Sequence, residues 1–495
     1  MACLVNKMEE KMIRFDNISF SYAGSEDTSV NNINLNIKSG ECILLCGRSG
    51  CGKTTVTRNI NKLIPEFFYG SMTGKVYIDN EDVMDIPMYK IAEKVGSVFQ
   101  NPRSQFFNVD TDSEIAFSLE NLSYPKEKII QRVIETYNDL NIKNLSGRSI
   151  FDLSGGEKQK IAFASAYAMM PQIYVLDEPS SNLDIYAIDE LKENISILKK
   201  QGRTIIISEH RLYYLKDIAD KIIYMENGSI KNIFSHDKML SLSNKEREKM
   251  GLRILNLKDV ELRKINNKVF DNCLEIKNLE VGYKKKKIIG NINFKANGGE
   301  IISIIGHNGA GKSTFLKTLC GLIKRINGSI KYNGKEIKEK EQLKLSYMVM
   351  QDVNYQLFAE SLEKECTLGI TNPDNKLVDQ TLKDLGLYEY KKMHPATLSG
   401  GQKQRAAVAA GIVSKKEILI FDEPTSGLDF DSMKKVSDLM VRLSNMGKII
   451  FIVTHDFEFI SLCSSRILHF DDGIIQEDYE LNERNADLLK DFFIK

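Results

Sequence analysis

Gly47-Arg-Ser-Gly-Cys-Gly-Lys53-Thr54 is a glycine-rich stretch that directly follows the apolar run Cys42-Ile-Leu-Leu-Cys46. The apolar run predicts a buried parallel strand, and Thr55-Val-Thr-Arg-Asn-Ile60 predicts the start of a helix. Glycines let backbone N–H groups wrap around phosphates, and a helix N-terminus adds partial positive charge. Strand, loop and helix in this order therefore predict a phosphate-binding loop.

The same arrangement returns as Gly306-His-Asn-Gly-Ala-Gly-Lys312-Ser313, after the strand-like run Ile301-Ile-Ser-Ile-Ile305. In both loops the lysine is suited to neutralise β- and γ-phosphate oxygens, and the hydroxyl that follows it to ligate Mg²⁺. The predicted nucleotide-binding residues of the two loops are Gly47, Ser49, Gly50, Gly52, Lys53, Thr54 and Thr55, and Gly306, Asn308, Gly309, Gly311, Lys312, Ser313 and Thr314.

Further elements occur twice in the same order along the chain. Leu153-Ser-Gly-Gly-Glu157 returns as Leu398-Ser-Gly-Gly-Gln402. The serine of this element, a glutamate and a histidine recur at a constant spacing of 245 residues, from 154 to 399, 178 to 423 and 210 to 455. This agreement indicates a tandem duplication. We expect one domain over 1–240, a linker over 241–271 and a second domain over 272–495.

The composition limits what the protein can be. The 495 residues include 68 Lys plus Arg and 67 Asp plus Glu, so the net charge is +1. We expect no nucleic-acid partner, since phosphate contacts usually come from an excess of basic residues. No run of ~18 apolar residues occurs, so any membrane-spanning part must belong to another chain. The eight cysteines form no CxxC pair, which favours thiols of a reducing compartment over a disulfide or metal framework.

Paired carboxylates end two apolar runs. Asp177 and Glu178 follow Ile173-Tyr-Val-Leu176, and Asp422 and Glu423 follow Ile418-Leu-Ile-Phe421. Carboxylates at the C-terminal ends of parallel strands lie where open α/β sheets bind ligands. The aspartate is suited to hold Mg²⁺, and the glutamate to polarise an attacking water.

Two of the six histidines stand at matched positions. His210 comes shortly after Thr204-Ile-Ile-Ile-Ser208, and His455 directly after Ile449-Ile-Phe-Ile-Val-Thr454. A histidine there can donate to a γ-phosphate oxygen, although a core histidine is the alternative. The predicted catalytic residues are Glu178, Glu423, His210 and His455.

Taken in order, these elements closely resemble the ATP-binding cassette (ABC) ATPase family, to which the Leu-Ser-Gly-Gly element is highly specific. The resemblance covers nearly the whole chain, once per half. It implies two tandem P-loop NTPase domains of α/β class, each a RecA-like, mostly parallel sheet with an antiparallel β subdomain and a helical signature subdomain. It further implies that the two domains pair head to tail around two ATP molecules. Ser154, Gly155 and Gly156 would then face the nucleotide on Lys312, and Ser399, Gly400 and Gly401 the one on Lys53.

The resemblance also implies which residues bind the adenine base and which bind the metal ion. Tyr22 and Tyr283 match the aromatic that stacks on adenine, although a tyrosine also suits an ordinary strand. Glu157 stands where the family usually has glutamine. The implied Mg²⁺ ligand set is Thr54, Gln100 and Asp177 in the first copy, and Ser313, Gln351 and Asp422 in the second.

Val98-Phe-Gln-Asn-Pro-Arg-Ser-Gln-Phe-Phe107 is similar to the ATPases of energy-coupling-factor (ECF) importers, as is Ser208-Glu-His-Arg-Leu212. The second copy keeps Gln351 and Gln356 but lacks the Asn-Pro pair. The resemblance implies import of a vitamin, a vitamin precursor or a transition-metal ion, powered at the cytoplasmic face of a bacterial membrane. The partners would be a transmembrane coupling protein and a small membrane-embedded substrate-capture protein, which meet helical regions over 108–151 and 358–396.

Two other functions stay open. Fused ATPases of sugar importers share the tandem architecture but often have one weakened site, whereas both sites look intact here. Cytosolic ABC translation factors carry a longer charged helical linker than the roughly 30–35 residues left between these two domains. DNA-repair members insert zinc modules, which the absence of CxxC pairs excludes.

Overall fold

The computed structural model describes residues 11–24, 28–181, 183–265, 268, 270–283 and 286–494, without the side chains of Lys11, Tyr283 and Lys286. The chain divides into two compact units, Met1–Leu255 and Asn256–Lys495. The division falls inside the segment 241–271, for which the sequence predicts a linker. Leu252 and Leu255 from this segment lie in the apolar core of the first unit.

The elements of the first unit alternate between strands and helices. Its described strands are β1 (Lys11–Tyr22), β2 (Val30–Lys38), β3 (Cys42–Gly47), β4 (Gly70–Ile78), β5 (Glu81–Asp82), β6 (Val95–Val98), β7 (Ile173–Asp177), β8 (Thr204–Ser208), β9 (Lys221–Glu226) and β10 (Ser229–Ser235). Its described helices are α1 (Lys53–Ile60), α2 (Leu63–Glu66), α3 (Met88–Lys94), α4 (Thr111–Asn121), α5 (Lys126–Asp139), α6 (Gly155–Ala168), α7 (Ile185–Lys200), α8 (His236–Leu240) and α9 (Asn244–Lys249).

The second unit repeats most of these elements. Its described strands are β11 (Cys273–Tyr283), β12 (Lys286–Asn297), β13 (Ile301–Ile305), β14 (Asn327–Tyr332), β15 (Lys335–Glu336), β16 (Ser346–Val349), β17 (Ile418–Asp422), β18 (Ile449–Val453), β19 (Arg466–Asp471) and β20 (Ile474–Glu480). Its described helices are α10 (Lys312–Leu319), α11 (Glu339–Leu345), α12 (Leu362–Thr367), α13 (Asn375–Asp384), α14 (Gly400–Val413), α15 (Phe430–Ser444), α16 (Phe457–Cys463) and α17 (Ala486–Phe493).

Each unit has a six-stranded and a four-stranded sheet among its described residues. The six-stranded sheets run β10-β9-β3-β8-β7-β6 and, in the second unit, β20-β19-β13-β18-β17-β16. All neighbours in them are parallel except the edge pairs β10-β9 and β20-β19. The four-stranded sheets, β2-β1-β4-β5 and β12-β11-β14-β15, are antiparallel. This architecture confirms the predicted α/β fold class.

Strand β3 shows why its sequence is a continuous apolar run. Cys42, Leu44 and Cys46 point into one apolar cluster, and Ile43 and Leu45 into another on the opposite face of the sheet. A parallel strand covered on both faces has no solvent-facing positions, so alternation with polar residues disappears. The C-terminal ends of such strands open onto one edge of the sheet, where the phosphate loop begins.

The helical regions predicted over 108–151 and 358–396 contain α4 and α5 in the first unit and α12 and α13 in the second. Between the phosphate-loop lysine and the Ser-Gly-Gly element, the first copy is longer by 14 residues, because the lysines are 259 apart and the serines 245. Helices α4 and α5 have 11 and 14 residues against 6 and 10 in α12 and α13, which accounts for most of this difference. Within the described ranges, no helix is long and apolar enough to cross a membrane.

Candidate functional site

The first phosphate loop joins β3 to α1, and its glycines serve two different purposes. Gly47 has a φ of 144°, and a Cβ added there would lie 2.2 Å from the carbonyl oxygen of Met225, so the fold itself requires glycine. Gly50 also has a positive φ, of 79°, but a Cβ there would meet no atom within 4 Å. In the second copy, a Cβ on Gly306 would lie 2.0 Å from the carbonyl oxygen of Phe470, whereas one on Gly309 would meet no atom within 4 Å. A bare backbone facing open space is what the close approach of a phosphate needs.

The phosphate-loop lysines are buried inside their own loops. The Lys53 ammonium donates to the carbonyl oxygens of Gly47 at 3.1 Å and Arg48 at 3.3 Å. Lys312 donates to the equivalent carbonyls of its own loop at 2.6 and 2.8 Å. A buried ammonium held by neutral acceptors forms stronger hydrogen bonds with anionic oxygens, so both lysines are placed to bind phosphate.

The residues predicted to hold Mg²⁺ lie together at the end of β7. The Thr54 hydroxyl donates to Oδ1 of Asp177 at 3.2 Å, and Ser208 donates to the same oxygen. Burial raises the pKa of Asp177 to about 6, and repulsion from Glu178 adds to the increase. In the second copy Ser313 donates to Asp422, whose pKa is likewise raised by burial. A hydroxyl beside a carboxylate is an all-oxygen donor set that fits Mg²⁺.

Glu178 lies at the centre of a polar cluster in the first unit. Its Oε2 accepts from the side-chain amide of Gln100 at 2.6 Å, and its Oε1 lies 3.4 Å from Nε2 of His210. The same histidine nitrogen lies 3.4 Å from the Lys53 ammonium. Burial alone would raise the pKa of Glu178, but attraction to His210 and Lys53 outweighs it and lowers the pKa below the ordinary value. The structure thus brings Lys53, Gln100, Glu178 and His210 together.

The second unit assembles a looser version of this cluster. Oε1 of Glu423 lies 3.7 Å from Nε2 of His455, and its Oε2 accepts from the Thr454 hydroxyl at 3.3 Å. The side-chain amide of Gln404 donates to the Glu423 carbonyl oxygen at 3.1 Å. Gln351, by contrast, is exposed in the loop after β16.

Both predicted catalytic glutamates have an unusual backbone conformation. Glu178 and Glu423 have φ values of 46° and 52°, in the left-handed region that a glutamate rarely occupies. Their backbone N–H groups donate to the neighbouring strands, at Ser208 and Val453. Such strain costs on the order of 1 kcal/mol and occurs preferentially at functional sites.

Tyr22 reaches the phosphate-loop helix through its hydroxyl. The hydroxyl accepts from Arg58 at 3.0 Å and lies 3.2 Å from Oγ1 of Thr55. The Arg58 guanidinium in turn lies 3.7 Å over the Phe68 ring. Tyr22 therefore contacts the helix that follows the phosphate loop, whereas the side chain of Tyr283 is outside the described residues.

The Ser-Gly-Gly elements begin helices α6 and α14 with the same capping box. The Ser154 N–H donates to Oε2 of Glu157 at 2.8 Å, and the Glu157 N–H donates back to Oγ of Ser154 at 3.3 Å. Ser399 and Gln402 make the same two bonds at 2.8 and 3.4 Å. Glutamate and glutamine are therefore equivalent at this position, because each needs only one carboxamide or carboxylate oxygen.

These elements are open to solvent at their first two residues. Ser154, Gly155, Ser399 and Gly400 are exposed, whereas Gly156 and Gly401, one residue further on, are buried. A Cβ on Gly155 would meet no atom within 4 Å. The first unit on its own therefore does not require glycine at that position.

Sequence reasoning missed Arg58 and Gln404. Gln404 is buried in α14, which is otherwise lined mainly by alanine and valine, and Gln159 stands at the matching position of α6. A glutamine repeated in both copies at a buried position was the available signal. Arg58 had no such signal, because the second copy has Lys317 there.

Comparison with known proteins agrees with the two-copy architecture. The profile of the family described as ABC transporter matches residues 30–181 and 289–426, which is more than half of the chain. An ABC transporter ATP-binding protein of Treponema denticola is 47% identical over 94% of this chain and 97% of its own length. One of Lactobacillus johnsonii is 33% identical over 99% of this chain and 94% of its own length.

A solved structure shares the fold across both domains. A chain from the complex of archaeal ribosomal stalk protein aP1 and the ribosome recycling factor aABCE1 aligns with a TM-score of 0.64, at 22% identity. The alignment covers 95% of this chain and 92% of that one. With the duplicated phosphate loops, carboxylates and Ser-Gly-Gly elements, these matches show that the chain belongs to the ABC transporter family, as a double-domain ATP-binding subunit that hydrolyses ATP to drive transport.

Proposed function

We propose that this chain powers an ECF-type importer, in which separate membrane chains carry a vitamin, a vitamin precursor or a transition-metal ion. The observation that carries this proposal is the segment 98–107. Near its start, Gln100 is bonded to Glu178, and at its end Phe107 has 75% of its surface exposed. Because this short segment connects the hydrolytic glutamate to an exposed aromatic ring, a partner that binds the ring can affect the position of the glutamate.

At each site, bound ATP would supply the γ-phosphate, and bound Mg²⁺ would neutralise part of the phosphate charge. Lys53 and Lys312 bind phosphate oxygens, while Thr54 with Asp177 and Ser313 with Asp422 would hold the metal. Glu178 orients a water and accepts its proton, and its lowered pKa keeps it ionised for this step. His210, within 3.4 Å of that carboxylate, is placed to donate to a γ-phosphate oxygen. Glu423 and His455 take the same roles in the second copy.

We also propose that the two domains pair head to tail and complete each other's sites. Ser154 and Gly155 are exposed, and no contact within the described part of the first domain requires a glycine at position 155. The Ser154 hydroxyl already accepts the N–H of Glu157, so its own proton remains to be donated. A serine hydroxyl and a bare glycine backbone at a helix N-terminus suit the γ-phosphate bound by the other domain.

The exposed rim of a cleft in the first unit, at Phe67 and Phe107, is our candidate surface for the transmembrane coupling protein. The cleft has a volume of about 510 Å³, and its other end is formed by Thr54 and Asp177, the predicted Mg²⁺ ligands. Phe67, also in its wall, has 67% of its surface exposed. Exposed aromatics around a cleft are typical of protein–protein contacts. Docking there would place the chain at the cytoplasmic face of the membrane, with its own domains outside the bilayer.

The test is affinity purification of the tagged chain from gently solubilised membranes, with mass spectrometry of what remains bound. Recovery of a small polytopic membrane protein together with a smaller substrate-capture protein supports the proposal. Two sugar-permease subunits would favour the fused sugar-importer ATPase instead, and ribosomes without membrane proteins would favour a translation factor. Phe107→Ser should release the membrane partners, whereas Tyr89→Ser, an exposed aromatic outside the cleft, should not.

A further inference from the structure

A buried carboxylate precedes the histidine of the first site. Glu209 has 2% of its surface exposed, and one of its oxygens, Oε1, accepts the backbone N–H groups of His210 at 2.7 Å and Arg211 at 3.2 Å. The other oxygen, Oε2, accepts the N–H of Ser180 at 3.2 Å and the hydroxyl of Tyr214 at 2.9 Å. One side chain therefore holds two loops that are about thirty residues apart in sequence.

The two loops are the switch loop, 209–212, after β8, and the loop 179–184 after β7, in which Asn182 lies outside the described residues. The second of them begins directly after Glu178. Arg211 strengthens the connection, since its guanidinium donates to the carbonyl oxygens of Ser180 at 3.2 Å and Leu183 at 3.3 Å. The distance between Glu178 and His210 therefore depends on how these loops are held together.

The second copy makes the same connection from a different residue. At the spacing of 245, Thr454 replaces Glu209, Asp456 replaces Arg211 and Thr425 replaces Ser180. Oδ2 of Asp456 accepts the hydroxyl of Thr425 at 2.8 Å, and these two residues are 2% and 1% exposed. The carboxylate therefore precedes the histidine in the first copy and follows it in the second. In both copies it bonds to the equivalent position, Ser180 or Thr425, of the loop that follows the glutamate.

A purely structural role would not explain this pattern. Burying a carboxylate is unfavourable unless its oxygens are hydrogen-bonded, and a side chain that only fills space would serve better if it were apolar. Both copies nevertheless bury one here, at different sequence positions and with a matching change in the loop it contacts. The connection itself is what the two copies have in common.

We propose that Glu209 and Asp456 are positioning residues for ATP hydrolysis. Each ties the switch histidine of its copy to the loop that follows the hydrolytic glutamate, so that histidine and glutamate move as one unit. The proposal rests on the assignment of His210 and His455 to the active sites made above. Both carboxylates form hydrogen bonds to these loops, and Glu209 forms one to Tyr214 as well, so we expect their effect to be on the rate of hydrolysis rather than on ATP affinity.

The first test cuts both connections in the full chain with the double variant Glu209→Gln/Thr425→Val. A glutamine side chain has a single acceptor oxygen, so at position 209 it can hold one loop but not both, and valine lacks the hydroxyl that Asp456 accepts. We expect kcat for ATP hydrolysis to fall about tenfold, since a misplaced catalytic group loses rate, while KM and ATP affinity stay within about twofold.

The control is the double variant Glu41→Gln/Glu300→Gln. Each of these half-buried carboxylates accepts a backbone N–H group, Glu41 that of Lys38 at 2.8 Å and Glu300 that of Asn297 at 3.1 Å. Both lie outside the two loops. The control should keep its kcat even where its melting temperature falls, and an equal loss of kcat in the control would overturn the proposal. So would an unchanged kcat in Glu209→Gln/Thr425→Val.

A rescue experiment separates positioning from folding. In the Thr425→Val background, where the second connection is already cut, adding Glu209→Thr should slow hydrolysis further. Adding Ser180→Thr and Arg211→Asp to that variant rebuilds the arrangement of the second copy and should restore the kcat of Thr425→Val alone. A rebuilt variant that melts like Thr425→Val but stays as slow as Thr425→Val/Glu209→Thr would contradict the proposal. Full turnover of His210→Ala/His455→Ala would instead overturn the histidine assignment on which it rests.

Discussion

We predict that Asp177 destabilises the nucleotide-free first domain at neutral pH and that replacing it by asparagine stabilises this domain. Its pKa is raised from 3.8 to about 6, first by burial and then by the nearby charge of Glu178. A carboxyl whose pKa is higher in the folded than in the unfolded state favours folding when protonated. That stability is fully present below about pH 4 and is lost as the pH rises through 6.

The magnitude follows from the difference between the two pKa values. At 1.36 kcal/mol per pKa unit, the change from 3.8 to about 6 corresponds to about 3 kcal/mol lost at pH 7.5. Asparagine avoids this loss and keeps one oxygen for Thr54 and Ser208, but its NH₂ group replaces an acceptor, at a cost of about 1 kcal/mol. The net gain is about 2 kcal/mol, or roughly 4–8 °C in the melting temperature of a domain of this size.

The assay is calorimetric unfolding of the full chain without Mg²⁺ or nucleotide, at pH 7.5 and again near pH 4.5. Asp177→Asn should raise the melting temperature of the first domain at pH 7.5, and the gain should vanish near pH 4.5, where the wild-type carboxyl is largely protonated. Asp85→Asn, an exposed aspartate of the same domain, is the control and should change neither value. A lower melting temperature at pH 7.5, or an equal gain at both pH values, would refute the reasoning.

Three other changes test the rest of the site. Glu178→Gln/Glu423→Gln should keep ATP binding and slow hydrolysis by about 10²–10⁴-fold, and unchanged turnover in a steady-state ATPase assay would contradict the general-base role. Lys53→Ala or Lys312→Ala should each weaken nucleotide binding at one site, so calorimetric titration should find one strong site left; two equal strong sites would be the contrary result. Glu157→Gln should change the free energy of unfolding by less than about 0.5 kcal/mol, because the glutamine of the second copy already forms the same capping box; denaturant melts that show a larger loss would mean that the half-exposed ion pair of Glu157 matters more than surface pairs usually do.

The parts of the fold that the sequence predicts are those that depend on short stretches of chain. Strands β3, β7 and β8 are continuous apolar runs because both faces of the sheet are covered, and the chemistry follows at their ends. The phosphate loop is recognisable because its glycines are spaced by local backbone geometry. The positions of Lys53 and Glu178 after the ends of buried strands can therefore be predicted from the sequence alone.

What the sequence does not predict depends on contacts between distant stretches. The segment 241–255 is predicted to be part of a polar linker, yet Leu252 and Leu255 lie in the first core and Leu242 and Met250 pack against it. These apolar residues are irregularly spaced among polar ones and match neither a helical nor a strand period. Gln100 and Gln351 occupy matching positions, but the first is bonded to its glutamate and the second is exposed. A glutamine follows a short strand in both copies, although the residues after it differ, and the sequence alone does not show which of the two is bonded.

The two copies therefore keep one chemistry and vary what supports it, and the second position of each phosphate loop shows this again. Arg48 donates to Glu226 at 3.1 Å and also to the carbonyl oxygen of Lys249 at 2.7 Å, which joins the first loop to the end of α9. In the second copy Nε2 of His307 pairs with Asp471 at 2.6 Å. Different side chains with different partners therefore support the two phosphate loops. Because the supports are unequal, we expect the two predicted sites to hydrolyse ATP by the same steps and at different rates.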